Sequence, residues 1–490
     1  MQSLRVIIGF RWQVIGHDVH GNVLVAAKRL SLGHPNRILA HRMRNLHLPK
    51  PICLALVLIA AASSLPAALP HEAIPLPDNY RAPALPDIPA RRFDVREYGA
   101  VGDGRAVCTQ ALQAAIKAAA AAGGGVVEIP AGIYRSGPVV LASHLELRLL
   151  AGATLQMLPL EEYPGKTDHP EDFLHGENLH DVAITGEGTI DGQGAPWWPF
   201  AKTKGAKRPR MIALKGSERI LIDGVTLRDS PMFHIALNAN EVTVRFVTIR
   251  APDSQDPVNP SHNTDACDVS GHRVLVEGCD VSVGDDNFTC GGQTSDVLIT
   301  HCTYGSGHGV SIGSYTKGGV SNFMVTDCTF NHTGCGIRIK SDRDRGGVVQ
   351  NLVYQNLRMS DVDCPILVYG AYGAQEKQYR RLNELTPATA ATYAAVPLGP
   401  RTPVYRNIIF RNITATATPG RRAGLIWGLP EAPVQDVVLS NVTITADLPF
   451  GLFNVDGVKL VNVTINTPAG VSHFAESNAR IEVPPGVEHL

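Results

Sequence analysis

Four short polar clusters stand out in a chain otherwise dominated by β-type sequence: Asn263-Thr264-Asp265, Asp285-Asp286, Gly307-His308-Gly309 and Arg338-Ile339-Lys340. Asp265 and Asp286 are 21 residues apart, Asp286 and His308 22, and His308 and Arg338 30. If each interval is one turn of a coiled strand, the clusters stack in space. Three carboxylates on neighbouring turns cannot all ionise cheaply, so one of Asp265, Asp285 and Asp286 is expected to hold a proton at mildly acidic pH. A protonated carboxyl that donates to a leaving oxygen, beside a carboxylate that activates water, is the equipment for splitting a glycosidic bond. A lone Asp-Asp pair is ordinarily a solvated turn; here its companions favour a site.

The flanking residues fit that chemistry. Consecutive strand residues face opposite ways, so both Asp285 and Asp286 reach one cleft only if the backbone bends at Gly284. His308 lies between two glycines, which leaves its imidazole open to a cleft where it can hydrogen-bond an aspartate and steady its protonation. His262 and His272 read as ordinary surface or core residues. Arg338 and Lys340 share one strand face. Two cations side by side repel unless an anion sits between them, and a uronate carboxylate fits; a solvent-facing charge pair is the blander reading. Arg343 and Arg345 either extend this patch or belong to a charged loop.

The elements that must position these groups are written in a repeated phrase. Arg273-Val-Leu-Val-Glu-Gly-Cys279, Asp296-Val-Leu-Ile-Thr-His-Cys302 and Asn322-Phe-Met-Val-Thr-Asp-Cys328 are copies of one pattern. It recurs with its first apolar residue at positions 220, 242, 408, 437 and 458. Repeats this short, rich in Val, Ile and Thr and alternating with period two, predict an all-β, single-stranded, right-handed parallel β-helix. In such a coil Asn412, Asn441 and Asn462 form a stacked amide ladder, and Cys279, Cys302 and Cys328 a stacked core column. The Asn-x-Thr sequons at these three asparagines would then be buried and poor glycan acceptors.

Before the coil, Thr109–Ala122 is an Ala-rich helix with Leu112 and Ile116 on one face, closed by Gly123-Gly124-Gly125, and is expected to cap the open end. Val126–Ile129 reads as the first coil strand. The predicted organisation is a single solenoid domain at 93–490, preceded by a Pro-rich linker at 71–92. Residues 43–70 have the three parts of a secretory signal peptide: basic Arg44 and Lys50, the apolar run Ile52–Ala62, then small residues. Residues 1–42 carry no repeat and read as an over-extended reading frame ahead of Met43. Residues 1–50 hold eight Lys or Arg and one Asp, and 51–70 none, so losing the leader takes the net charge from −1 to −8. A chain this acidic is no general polyanion binder, so nucleic acid is excluded as a partner, and after cleavage so is the membrane. The expected location is secreted or periplasmic and the expected state a monomer. Eight of nine cysteines remain after cleavage. Packed thiols are expected, with Cys267–Cys290 and Cys328–Cys335 as conceivable bridges, and no CxxC spacing suggests zinc, so no metal or cofactor is predicted.

From Phe93 to the C-terminus the chain resembles the polygalacturonase family of glycoside hydrolases, family 28. The four clusters carry the resemblance in order, together with Gly186-Glu-Gly-Thr-Ile-Asp-Gly-Gln-Gly194, Trp197-Trp198, Arg208-Pro-Arg-Met-Ile212 and Gly224–Pro231. It implies that Asp285 is the general acid, that Asp265 and Asp286 position water in an inverting mechanism, and that Arg338 and Lys340 bind a uronate. In Pro365–Tyr372 it implies a sugar contact from Tyr372, with Tyr369 equally able to serve packing. Gly373–Val404 breaks the repeat and is expected to form a lip over the cleft. The chain departs from the family at Asn287-Phe-Thr-Cys-Gly-Gly292, where a Cys and a Lys are usual, and at Asp229–Ala236, which lacks the usual Trp and has Ala236 where a His is common. The expected partner is therefore a pectic polysaccharide or oligogalacturonide, with its exact linkage open. Hydrolysis of a different pectic bond such as that of rhamnogalacturonan, a calcium-dependent pectate lyase on the same coil, and a non-catalytic carbohydrate-binding β-helix are the alternatives.

Overall fold

The computed structural model describes residues 10–17, 23–29, 80–372 and 384–482. The chain forms two compact units, Met1–Asp78 and Asn79–Leu490. In the first, strands Phe10–His17 and Val23–Arg29 pair antiparallel. The expected leader at 43–70 lies outside the described residues.

The second unit is a 31-stranded sheet coiled on itself as a parallel β-helix. Every marker of the repeated phrase falls into one register: Val182, Ile220, Val242, Val274, Val297, Phe323, Leu352, Ile408, Val437 and Val458 are aligned turn upon turn. All are buried in the core, each side chain contributing roughly 1.5–3 kcal/mol of apolar burial. Leu352 belongs to this column although it was absent from the phrase list; Asn351-Leu-Val-Tyr-Gln-Asn356 carries the same pattern.

The coil's corners explain the asparagines. Asp327, Asn356, Asn412, Asn441 and Asn462 all have φ between 52° and 55°, a left-handed conformation that asparagine and aspartate tolerate better than other non-glycine residues. Each asparagine Nδ2 donates to the side chain one turn earlier, at 2.9–3.1 Å. The ladder is present, but it is not buried: Asn441 and Asn462 face solvent. Their amide nitrogens are engaged by neighbours rather than hidden. Cys279, Cys302 and Cys328 stack inside, two residues beyond the aligned Glu277, Thr300 and Thr326. All eight described cysteines are unpaired thiols, so neither conceivable bridge forms. The register that aligns Asp268 with Thr289 leaves Cys290 two residues out of step with Cys267.

The helix α1 (Thr109–Ala121) buries Leu112, Ala115, Ile116 and Ala119 on the first turn and closes that end of the core. The described part of the linker is not free. The Asp87 N–H donates to Asp181 and that of Ala84 to Glu241, both at 2.9 Å, strapping the segment to turns two apart.

One face of the coil concerns function. It is built from β1 (Cys267–Ser270), β2 (Phe288–Cys290), β3 (Val310–Ile312), β4 (Cys335–Lys340), β5 (Cys364–Tyr369), β6 (Arg422–Trp427) and β7 (Leu448–Asn466). Phe288, Val310, Ile337, Ile366 and Ile426 point into the core. The alternating, outward column reads Asp268, Thr289, Ser311, Arg338, Leu367, Leu425, Gly451.

Candidate active site

Asp265, Asp286 and His308 each stand two residues ahead of a strand, β1, β2 and β3, so the coil stacks them at one corner. The backbone bends at Gly284 and Asp285 as the twin aspartates require. Gly284 is fixed by crowding, since a Cβ there would lie 2.2 Å from the Ser261 carbonyl. Gly309 has φ +75°, and a Cβ on it would come within 2.0 Å of the Cys335 carbonyl. These glycines let the His308 loop close onto the neighbouring turns.

All three carboxylates reach one place, in different environments. Asp285 accepts the Asp286 N–H at 2.9 Å on Oδ1, and the backbone N–H and side-chain amide of Asn263, each at 3.2 Å, on Oδ2. His308 Nδ1 stands 2.9 Å from Asp285 Oδ1 and 3.8 Å from Asp286 Oδ1; the nearer contact is an ion-pair approach with the oxygen off the N–H direction. Asp286 is clamped on both oxygens. Ser311 Oγ donates to Oδ1 at 2.7 Å, Arg338 to the same oxygen at 3.2 Å, and Lys340 Nζ to Oδ2 at 2.9 Å. The anion between the two cations is thus Asp286 itself. Asp265 is 6% exposed, and its Oδ1 is buried with no hydrogen-bond partner.

Charge follows from these surroundings. Burial, then the nearby Asp285 and Asp286, push the Asp265 carboxyl well above the usual carboxylate range. Burial also acts to raise Asp285, but His308, then Lys340 and Arg338, outweigh it and hold that group well below the usual range. Asp268, outward on β1, is pushed up to about 6 by burial and by Asp286. These surroundings favour the neutral form of Asp265 and the carboxylate form of Asp285.

Tyr372 lies at the groove with Lys340 Nζ 5.4 Å from its ring centroid. Tyr369 is buried in a second apolar cluster, against which Tyr372 also packs. Arg343 and Arg345 do not extend the cationic patch: Arg343 pairs with Glu431 at 2.7 and 2.9 Å, and Arg345 lies over the Tyr315 ring. The described part of the expected lip, residues 384–403, carries Leu385, Ala390 and Tyr393 in that second cluster.

Several supporting residues have roles that residue type and spacing do not reveal. Arg208 donates to the His262 carbonyl and to Asn263 Oδ1, aiming Asn263 at Asp285. His234 is wholly buried, lowered to about 4 by burial and so neutral; its backbone N–H donates to the Asp265 carbonyl at 2.8 Å. Asn287, where the family pattern has Cys, braces the His308 loop by donating to the Ser306 carbonyl and accepting the Gly309 N–H. Ser311 carried no signal beyond its alignment with Arg338, which requires the register.

One oxygen or nitrogen each from Asp285, Asp286 and His308 lie within 4.8 Å of one another, a spacing that could hold a metal ion. Arg338 and Lys340 already occupy Asp286 and oppose a cation there. The arrangement suits proton transfer: a buried carboxyl whose surroundings favour its neutral form, a carboxylate facing histidine, and a carboxylate clamped between Arg338 and Lys340.

Residues 124–459 match the family described as Glycosyl hydrolases family 28, and residues 92–148 match one described as Rhamnogalacturonase A/epimerase, pectate lyase-like. A probable polygalacturonase of Arabidopsis thaliana is 32% identical over 289 residues, covering 56% of this chain and 60% of that protein. An endo-polygalacturonase of Pectobacterium parmentieri is 29% identical over 370 residues, covering 69% of this chain and 84% of that protein. Among solved structures, a hyperthermoactive exopolygalacturonase from Thermotoga maritima superposes with a TM-score of 0.64 at 22% identity, covering 79% of this chain and 94% of that one; this likeness bears on the fold.

Proposed function

Because the chain belongs to glycosyl hydrolase family 28, we propose that it hydrolyses α-1,4-galacturonosidic bonds of polygalacturonate with inversion at the anomeric carbon. The observation that carries this reading is the clamped Asp286, seated with an oppositely perturbed pair, Asp265 and Asp285. A retaining enzyme needs a carboxylate with a free lone pair to attack the sugar. Both Asp286 oxygens are engaged, so it serves better to hold a water than to attack. Asp265 and Asp286 flank that water, and Asp285 protonates the leaving oxygen.

This assignment requires the shared proton to move. A substrate carboxylate that engages Arg338 and Lys340 weakens their pull on the aspartates and raises the proton affinity of Asp285. Relocating one proton from Asp265 to Asp285 then makes the first a base and the second an acid. His308 orients Asp285 for donation, and Tyr372 lines the sugar beside Lys340. The names of the relatives support galacturonate as the sugar. The signal-like run at 43–70 supports a secreted or periplasmic enzyme; sequencing the N-terminus of the exported protein tests that part.

Incubation with polygalacturonate in chelator decides the reaction class. New reducing ends without ultraviolet absorbance support hydrolysis, and proton NMR of the first product should show the β-anomer. An unsaturated, absorbing product would instead mean elimination, and an α-anomer would mean retention.

A further inference from the structure

One corner of the coil, away from the groove, gathers metal-ligating groups that no short spacing in the chain reveals. His144, Asp181 and Arg219 each stand one residue ahead of an aligned strand residue, Leu145, Val182 and Ile220, and share a left-handed backbone with φ of 55°, 57° and 54°. They therefore stack on three successive turns. His180 sets a second imidazole beside the first, the two rings edge-on with centroids 4.5 Å apart. The histidine side chains are 42% and 44% exposed, whereas that of Asp181 is 3%.

The donor atoms converge on one point. His180 Nδ1 lies 2.9 Å and His144 Nδ1 3.5 Å from Asp181 Oδ2, and the Asp87 carbonyl of the strap lies 3.1 Å from His144 Nδ1. Ligands at about 2.0–2.1 Å from a tetrahedral Zn²⁺ ion stand about 3.4 Å from one another, a spacing these separations straddle. Two imidazoles and a carboxylate are the donors such an ion takes, and solvent reaches them. Arg219 grips the same carboxylate, Nε to Oδ1 at 2.7 Å and Nη2 to Oδ2 at 2.8 Å. Its charge is shared with Glu218, 3.4 Å away, whereas Asp286 in the groove bears two cations of its own. Oδ2 keeps a lone pair for a metal once His180 gives up its hydrogen bond, and Arg219 then orients the ligating carboxylate.

We propose that His144, His180, Asp181 and the Asp87 carbonyl form a binding site for a divalent ion of the Zn²⁺ type, which pins the Pro-rich strap to the first turns of the coil. Asp87 is held twice over: its N–H already donates to Asp181 Oδ1 at 2.9 Å, and its carbonyl supplies the fourth ligand.

The test is a titration of the whole exported protein, stripped with chelator, with Co²⁺ followed by visible absorption and with Zn²⁺ followed by calorimetry. One equivalent of tetrahedral Co²⁺, displaced by Zn²⁺, is expected. His144→Asn, chosen because asparagine accepts the left-handed corner, and His180→Ala should each weaken binding by about tenfold or more while the metal-free melt stays that of the parent. His308→Ala, which alters the cluster in the groove, should leave binding unchanged. No stoichiometric binding, binding that survives loss of both corner histidines, or binding abolished by His308→Ala would overturn the site. Zn²⁺ should also slow hydrogen exchange at the amides of residues 84–88; exchange there that ignores the metal would overturn the pinning.

Discussion

Replacing Lys340 by methionine tests whether the clamp on Asp286 is an energetic unit. The Nζ to Oδ2 distance is 2.9 Å, with the two side chains 8% and 4% exposed. At an effective dielectric of about 20 the attraction is about 6 kcal/mol. Relief from burying the ammonium returns several kcal/mol, so breaking the pair should cost about 3 kcal/mol net. For a coil of roughly 400 residues the unfolding entropy scales to about 0.9 kcal/mol/K, which places the midpoint drop near 3 °C. Asp286→Asn should cost a similar amount, because it strands Lys340 beside Arg338. The double variant is the informative one: its loss should fall short of the summed single losses by about 3 kcal/mol in urea denaturation. If the losses instead added to within about 0.5 kcal/mol, the two groups would not be coupled and the clamp argument would be wrong.

Other outcomes follow from the same geometry. Asp285→Asn should lower kcat/KM on polygalacturonate by about 10²–10⁴-fold, with an unchanged circular dichroism melt; retention of most activity would remove Asp285 from the acid role. Asp265 has a raised folded pKa, so its ionisation erodes native stability as pH rises from the unfolded value of about 3.9 through the folded one. Asp265→Asn, which mimics the neutral carboxyl, should therefore gain stability relative to the parent between pH 4 and pH 7, as read by urea midpoints. Gly309→Ala should destabilise by about 2 kcal/mol or more, from its left-handed backbone and the contact with Cys335, and should disorder the His308 loop before the rest of the coil in hydrogen exchange.

Much of this was legible in the sequence because a β-helix writes its register into its phrases. The markers at 220, 242, 274, 297, 323, 408, 437 and 458 needed only alternation and spacing, and they fall in one column. The same spacing brings Asp265, Asp285, Asp286, His308, Arg338 and Lys340 into one groove. What spacing cannot supply is which group pairs with which. Arg338 and Lys340 were read as awaiting a ligand, yet Asp286 from two turns away fills the gap, a contact 52 and 54 residues apart in the chain. The tilt of Asp265 toward its neutral form comes from burial and an unpartnered Oδ1, neither of which leaves a mark in residue type. His234 and Asn287 act through backbone groups of distant segments. Solvent exposure of the asparagine ladder was misread for a related reason: stacking implies alignment, but not which side of the wall the stack is on.

The proposed catalytic and binding groups come from four windings of the chain, Asp285 and Asp286 sharing one and Arg338 and Lys340 another, and no single winding owns the site. A break in the lateral backbone bonds between any two of the windings that bear Asp265, Asp286, His308 and Arg338 would pull the ensemble apart even if both halves stayed folded. Turnover is thus a built-in gauge of cohesion along the coil's long axis. Stretching, partial denaturant or proteolytic nicking in the middle windings should extinguish activity while most of the secondary structure persists, and fraying confined to either tip should leave it running.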